Sequence, residues 1–107
     1  MTDPHANIDV VIREVCRGLH IDTHKMYQYA KLTNKSWEVT ECCHTVCFFM
    51  RVYEDLSYDA LATFFGFSNH SSVIYAVNHV IDRLENDEFN MTLTAIKSNI
   101  YGTVRSK

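Results

Sequence analysis

The side chains best suited to catalysis or metal binding lie in one short segment, Cys42-Cys43-His44-Thr45-Val46-Cys47. Cys43 and Cys47 are four residues apart, so a helix would bring both thiols to one face. Zinc sites usually draw their ligands from two separated pairs, and the sequence contains no C-x-x-C pair. Cys43 and His44 are adjacent and would point about 100° apart on a helix, which separates a nucleophile from its base. Because cysteine also packs well in apolar cores, the pattern favours core positions. We therefore expect no catalytic activity, no bound metal and no other cofactor.

A second distinctive segment, residues 23–37, combines positive charge with aromatic rings. It contains Lys25, Lys31 and Lys35 and no acidic residue, and its rings include those of Tyr27, Tyr29 and Trp37. A lysine that contacts a phosphate adds close to one unit to the salt dependence of nucleic-acid binding. The segment is therefore a candidate phosphate-contacting arm. The alternative is a solvated loop whose rings cover the core.

A third set of polar side chains follows Gly66, between a short and a longer predicted helix. A short helix from Tyr58 to Phe64, a glycine-containing turn and a longer helix with one apolar stripe are typical of a helix-turn-helix. In that motif the second helix presents its first turn to the major groove. Its solvent face would carry hydrogen-bonding side chains, namely Ser68, Asn69, His70, Ser71, Ser72, Tyr75 and Asn78. The alternative is a helix hairpin that only packs.

Apolar periodicity predicts the helices that position these residues. We expect a first helix from a cap at Asn7 to a stop at Gly18 and a short helix around residues 25–31. A third begins at Ser36 and runs out at Glu54-Asp55, and Ser57 caps the fourth. The fifth helix carries an apolar stripe and the last one four apolar residues: Val73, Ala76, Val77, Val80, Ile81 and Leu84, then Phe89, Leu93, Ile96 and Ile100. Ile74 lies off the stripe and could touch a thymine methyl group, a partner protein or the last helix.

Composition narrows the class of protein. With 107 residues, of which 47% are hydrophobic, the chain suits a single domain, residues 1–107 with a core of about 8–104. Three glycines and one proline are too few for the turns of a β-sandwich, so we expect an all-α bundle of about six helices. No secretory signal, membrane-spanning run or nucleotide-binding loop is recognisable. Three of the four cysteines crowd into residues 42–47, which suits a reduced, cytoplasmic protein rather than a disulfide framework.

The net charge of −3 does not by itself exclude a nucleic-acid partner. Residues 23–37 carry three lysines and no acid, and residues 56–81 carry one acid, Asp59. Most of the remaining acids lie outside the candidate face.

The segment from Leu56 to Val77, LSYDALATFFGFSNHSSVIYAV, resembles the signature of the C-terminal DNA-binding domain of the bacterial replication initiator DnaA. That signature continues from a phenylalanine-glycine turn to an aspartate-histidine-serine/threonine-threonine-valine run. The likeness extends over roughly Ile8 to Ile100. It implies a Trp-repressor-like helix-turn-helix that binds double-stranded DNA sequence-specifically without catalysis. It also implies a nucleoid-associated accessory factor in replication or transcription, standing alone without the ATPase domain, in a bacterium, phage or mobile element.

The resemblance assigns roles to the start of the fifth helix. His70 matches the family histidine that reads bases, and Ser71 and Ser72 match the hydroxyl residues after it. Asn69 replaces an acidic residue that helps to read bases, and Ser68 replaces an arginine. An amide suits adenine better than it suits the cytosine amine, so a different recognised sequence is expected.

Further matches lie outside the signature. Cys43 and His44 fall where the family has a DNA-facing arginine and glutamine, and Arg51 matches a phosphate-contacting lysine. Lys35 aligns near the minor-groove arginine, and His79 matches a later lysine of the recognition helix. With several arginines replaced, we expect weaker DNA binding than that of the arginine-rich members. The alternative is a protein-interaction module that kept the fold and lost DNA binding.

Overall fold

A computed structural model describes residues 6–102 of the chain, and within that range the backbone forms six α-helices, one 3₁₀ helix and no strand. The helices are α1 (Ile8–Leu19), α2 (Thr23–Tyr27), α3 (Trp37–Val52), α4 (Tyr58–Phe65), α5 (Ser71–Arg83) and α6 (Asp87–Tyr101), with the 3₁₀ helix at Tyr29–Lys31. The radius of gyration is 13.4 Å, close to the value of about 13 Å for a compact chain of this size. The predicted all-α class is therefore confirmed.

Residues 1–5, where no secretory signal was expected, and residues 103–107, which include the end of the predicted core, lie outside the described residues. Of the helices within the described range, none has the length and apolarity that a membrane span needs.

Side-chain caps start three of the helices where the sequence predicts them. Asn7, Ser36 and Ser57 each accept a hydrogen bond from the backbone N–H three residues later, at 3.0, 3.2 and 3.0 Å. Each cap satisfies an N–H group that the helix itself leaves unpaired, and such a cap stabilises a helix by about 1 kcal/mol. The capping predictions are confirmed.

Helix α3 is the central element, since it packs against α1, α2, α4 and α5. All its residues from Cys42 to Met50 are buried, which confirms the predicted core positions of the cysteines. Cys42 Sγ lies 3.5 Å from Cys16 Sγ of α1. The hydrogen bond to Cys16 and burial raise the pKa of the Cys42 thiol, and burial raises that of Cys43. Both groups therefore remain neutral thiols in the core.

The predicted stop of α1 at Gly18 is wrong, because the helix continues to Leu19 and ends at His20 in the left-handed conformation. Gly18 serves a different purpose. A Cβ atom at this position would lie 2.5 Å from Cγ1 of Ile96 in α6. The missing side chain therefore allows α1 and α6 to pack closely, a requirement that only the tertiary structure reveals.

Other boundaries shift by one or a few residues. The predicted helix around 25–31 is divided into α2 and the 3₁₀ helix, and α3 ends at Val52 rather than at Glu54-Asp55. Helix α4 continues one residue beyond Phe64. Ile81, placed in the apolar stripe of α5, is 46% exposed, since the buried stripe consists of Val73, Ala76, Val77 and Val80.

The connection between α4 and α5 depends on Gly66. Its φ of 78° lies in the left-handed region, as the sequence predicts for this glycine. A Cβ atom here would also lie 2.4 Å from the Cβ of Ala30. The turn therefore fits closely against the segment between α2 and α3, and it brings the start of α5 near that segment.

Glu54, just after α3, joins the two ends of the described chain. Its Oε2 accepts hydrogen bonds from the backbone N–H of Ala6 at 3.0 Å and from the Tyr101 hydroxyl at 2.5 Å. Burial and the bond to Glu54 raise the pKa of Tyr101. The beginning of α1 and the end of α6 are thus held by one carboxylate.

Candidate nucleic-acid interface

A side chain of the loop before α5 accepts a hydrogen bond from the first residue of that helix. Asn69 Oδ1 accepts a bond from the backbone N–H of Ser71 at 2.8 Å. Ser68, Asn69 and His70 are all exposed. Pairing with adenine would require the same Oδ1 atom as an acceptor. The Oδ1 atom keeps a second lone pair, and the amide N–H groups are donors, so Asn69 retains both an acceptor and donors for another molecule.

His70 lies beside an acidic side chain of the preceding helix. Its Nδ1 lies 3.4 Å from Oδ1 of Asp59 near the start of α4, and its side chain is 55% exposed. The two residues border an open cleft of about 310 Å³ with Ser57, Tyr58 and Arg51. In the sequence, Asp59 is recognisable only as the single acid of residues 56–81. Its contact with His70 depends on the crossing of α4 and α5, which no local pattern encodes.

Arg51, matched above to a phosphate-contacting lysine, is held by its own neighbours. Its Nη1 lies 3.3 Å from the Leu56 carbonyl oxygen and 3.6 Å from Asp55 Oδ1, and its guanidinium lies over the Tyr58 ring at 4.6 Å. The side chain is 35% exposed. Arg51 therefore supports the connection from α3 to α4 and exposes only part of its charge.

The solvent face of α5 presents hydroxyl and amide groups. Ser71, Tyr75 and Asn78 are exposed, and Ser72 is half-buried. An open cleft of about 360 Å³ lies beside the first turns, bordered by Ser71, Ser72, Tyr75, Phe67 and His44. Ser71, Ser72 and Tyr75 thus border one cleft that has room for another molecule.

Four rings, Trp37, His44, Tyr75 and His79, form what we call the ring cluster between α3 and α5. The ring centroids of His44 and His79 are 5.3 Å apart, and that of His79 lies 5.6 Å from Trp37 and 5.8 Å from the stacked Tyr75. Tyr75 and Trp37 are 62% and 53% exposed, whereas His44 is only 7% exposed. Cys43 is therefore a core residue, and His44 reaches the open cleft with only a small part of its surface.

The two histidines of the ring cluster meet at their Nδ1 atoms, which are 3.3 Å apart. Burial, together with the neighbouring His79, lowers the pKa of His44 to about 4. His44 is therefore neutral near pH 7. The sequence gives no sign that His44, His79 and Trp37 are neighbours, because the register between α3 and α5 is needed to bring them together.

Lys35 is the lysine of residues 23–37 whose surroundings connect it to α5. Its Nζ donates to the Leu32 carbonyl oxygen at 2.8 Å and lies 4.9 Å from the centre of the Tyr29 ring. Tyr29 in turn packs edge-on against Phe67, which borders the cleft beside α5.

The lysines of this segment also differ from the arginines in their charge partners. Among residues 6–102, Arg13, Arg17, Arg51 and Arg83 pair with carboxylates, and no such ion pair involves Lys25, Lys31 or Lys35. The exposed positive charge of these three lysines is therefore available to an external anion.

Comparisons with models of protein families, with curated proteins and with solved structures each find no match.

Proposed function

We propose that this protein binds double-stranded DNA through the exposed face of α5. The first turn, with Asn69, His70 and Ser71, would enter the major groove, and Lys35 and its neighbouring lysines would contact phosphates. The helices α4 and α5 would then act as a helix-turn-helix like that of the initiator's DNA-binding domain, in an accessory factor of replication or transcription.

The observation that carries this proposal is the distribution of charge and polarity around α5. Its first two turns expose hydroxyl, amide and imidazole groups, and Asp59, the acid beside them, is engaged with His70. The lysines of residues 23–37 lack carboxylate partners within the described chain. Hydrogen-bonding side chains read base edges, and cations without carboxylate partners contact phosphates.

Selection from a random duplex library at physiological salt tests the proposal. We expect an enriched motif whose binding is lost in His70→Ala and weakened in Lys35→Ala. Lys97→Ala, which removes the same charge from α6, serves as the matched control and should bind like the original chain. Absence of enrichment together with absence of salt-dependent retention on duplex DNA would refute the proposal.

A protein-interaction module is the second candidate, and the exposure of Trp37 and Tyr75 favours it. Large exposed rings are enriched at protein interfaces and often dominate their binding energy. In this case Trp37→Ala and Tyr75→Ala would abolish capture of a specific partner protein, while Lys35→Ala would leave it unchanged. The two candidates therefore differ in which side chains are essential.

A further inference from the structure

A recess between α3, the end of α5 and α6 takes no part in the proposed DNA contacts. Its volume is about 190 Å³, and its walls include Phe48, Phe49, Tyr53, Leu84 and Leu93. An apolar cavity of about 150 Å³ accommodates benzene. The recess therefore has room for one six-membered ring with a short substituent.

Three aromatic rings form one wall of the recess. The ring centroids of Phe48 and Phe49 are 5.5 Å apart, and that of Tyr53 lies 6.1 Å from Phe48 and 5.6 Å from Phe49. Phe48 and Phe49 are buried, whereas Tyr53 is exposed at the surface. Aromatic rings attract a further ring in edge-to-face or offset arrangements, with centroids about 4.5–7 Å apart. The wall therefore favours an aromatic ligand over an aliphatic one of similar size.

A single cation borders the recess, and it favours a negatively charged ligand. Lys97 of α6 is exposed, and its Nζ lies 5.0 Å from the centre of the Tyr53 ring. Within residues 6–102, Lys97 forms no ion pair with a carboxylate, and no acidic side chain borders the recess. The ammonium group therefore has N–H donors available to an external anion.

We propose that this recess binds a small aromatic monocarboxylate, with its ring against Phe48, Phe49 and Tyr53 and its carboxylate on the Lys97 ammonium group. A carboxylate accepts strong, charge-assisted hydrogen bonds from an ammonium group. A ligand of this class covers the apolar wall and pairs with the cation, whereas a neutral arene or an apolar-free anion does only one of the two. The recess includes Leu84, at the opposite end of α5 from the proposed DNA contacts, so the site is independent of DNA binding.

Phenylacetate is a suitable test ligand, and carbon–proton NMR of the methyl groups of the full chain locates it. We expect saturable shifts, fitting one site, of the methyl signals of Leu84, Leu93 and Thr94, which border the recess. The methyl signals of Val73, in the first turn of α5, should stay in place. Cyclohexylacetate keeps the charge without the aromatic ring, and phenylacetamide keeps the ring without the charge. Each should bind about tenfold more weakly than phenylacetate.

Lys97→Met removes the ammonium group but keeps an unbranched side chain over the recess. It should weaken phenylacetate binding about tenfold and leave phenylacetamide binding unchanged. Lys25→Met, which removes an exposed lysine of α2, is the matched control and should bind both compounds like the original chain.

Several outcomes would overturn the proposal. These are shifts that do not saturate or that spread over the whole chain, equal affinity for the three compounds, and undiminished phenylacetate binding by folded Lys97→Met. Movement of the same methyl signals with protein concentration alone would assign the recess to a second copy of the chain instead. If Lys97→Met does not fold, the original chain decides, since the proposal requires it to prefer phenylacetate to phenylacetamide.

Discussion

His44 is an ionisable side chain that folding removes almost entirely from water. The unfolded chain takes up a proton at His44 near the ordinary pKa of 6.5, but the folded chain does so only near pH 4. Stability that is present above pH 6.5 is therefore lost as the pH falls toward 4, by up to about 3 kcal/mol. Urea unfolding of the chain at about pH 7 and about pH 4.5 measures this loss. His44→Gln should show a smaller loss than the original chain, and His24→Gln an equal one. Equal pH dependence in all three would contradict the lowered pKa.

Asp59 gives a second prediction at this scale, which rests on the proposed DNA binding. Its carboxylate is exposed and lies beside His70, where a bound DNA backbone would be repelled. Asp59→Asn should therefore raise the affinity for duplex DNA, by up to about tenfold at low salt. Fluorescence anisotropy with a labelled duplex measures this change, and Asp82→Asn near the other end of α5 is the matched control. Reduced affinity in Asp59→Asn would instead mean that the carboxylate is needed to orient His70.

Residues whose roles depend on local geometry were predictable from the sequence. Asn7, Ser36 and Ser57 cap their helices because a cap is decided within four residues of chain. Gly66 was recognisable because a left-handed turn between two helices favours glycine. By contrast, the contact of Asp59 with His70 and the grouping of the four rings depend on how α3, α4 and α5 cross. Periodicity along one helix does not contain that information.

At the scale of helices, the packing of α1 against α6 depends on Gly18. In Gly18→Ala the new methyl group would press against Ile96, which is 1% exposed and has little freedom to move. Overpacking of this kind costs about 1–3 kcal/mol, while the better helix propensity of alanine returns about 1 kcal/mol at most. We therefore expect a net loss of up to about 2 kcal/mol in the free energy of unfolding, measured by urea denaturation.

A double-mutant cycle separates this effect from helix propensity. In the background of Ile96→Ala the clash is absent, so Gly18→Ala should there be neutral or stabilising. An equal loss in both backgrounds would show that the two helices do not meet at this point. The sequence predicted a helix end at Gly18 because glycine often follows a helix. The close approach of another helix explains the residue instead.

At the scale of the whole molecule, the net charge is −3, but residues 23–37 carry three lysines and no acidic residue. If three lysines contact phosphates, the logarithm of the DNA-binding constant should fall with the logarithm of salt concentration with a slope of about −3. Lys35→Ala should reduce the slope by about one unit, whereas Lys97→Ala should leave it unchanged. Anisotropy titrations over a range of salt concentrations measure both. A slope near zero would contradict phosphate contacts by this segment.

Glu54 holds the two ends of the described chain close together. Since one carboxylate oxygen binds both Ala6 and Tyr101, a short flexible linker should be able to join the two ends without disturbing α1 or α6. New ends could then be opened at the Glu85-Asn86 connection, whose side chains are exposed. Such a circular permutant should keep the helical circular-dichroism spectrum and a cooperative thermal transition. A permutant that unfolds would show that the order in which the helices emerge, and not only their final contacts, is needed to form this bundle.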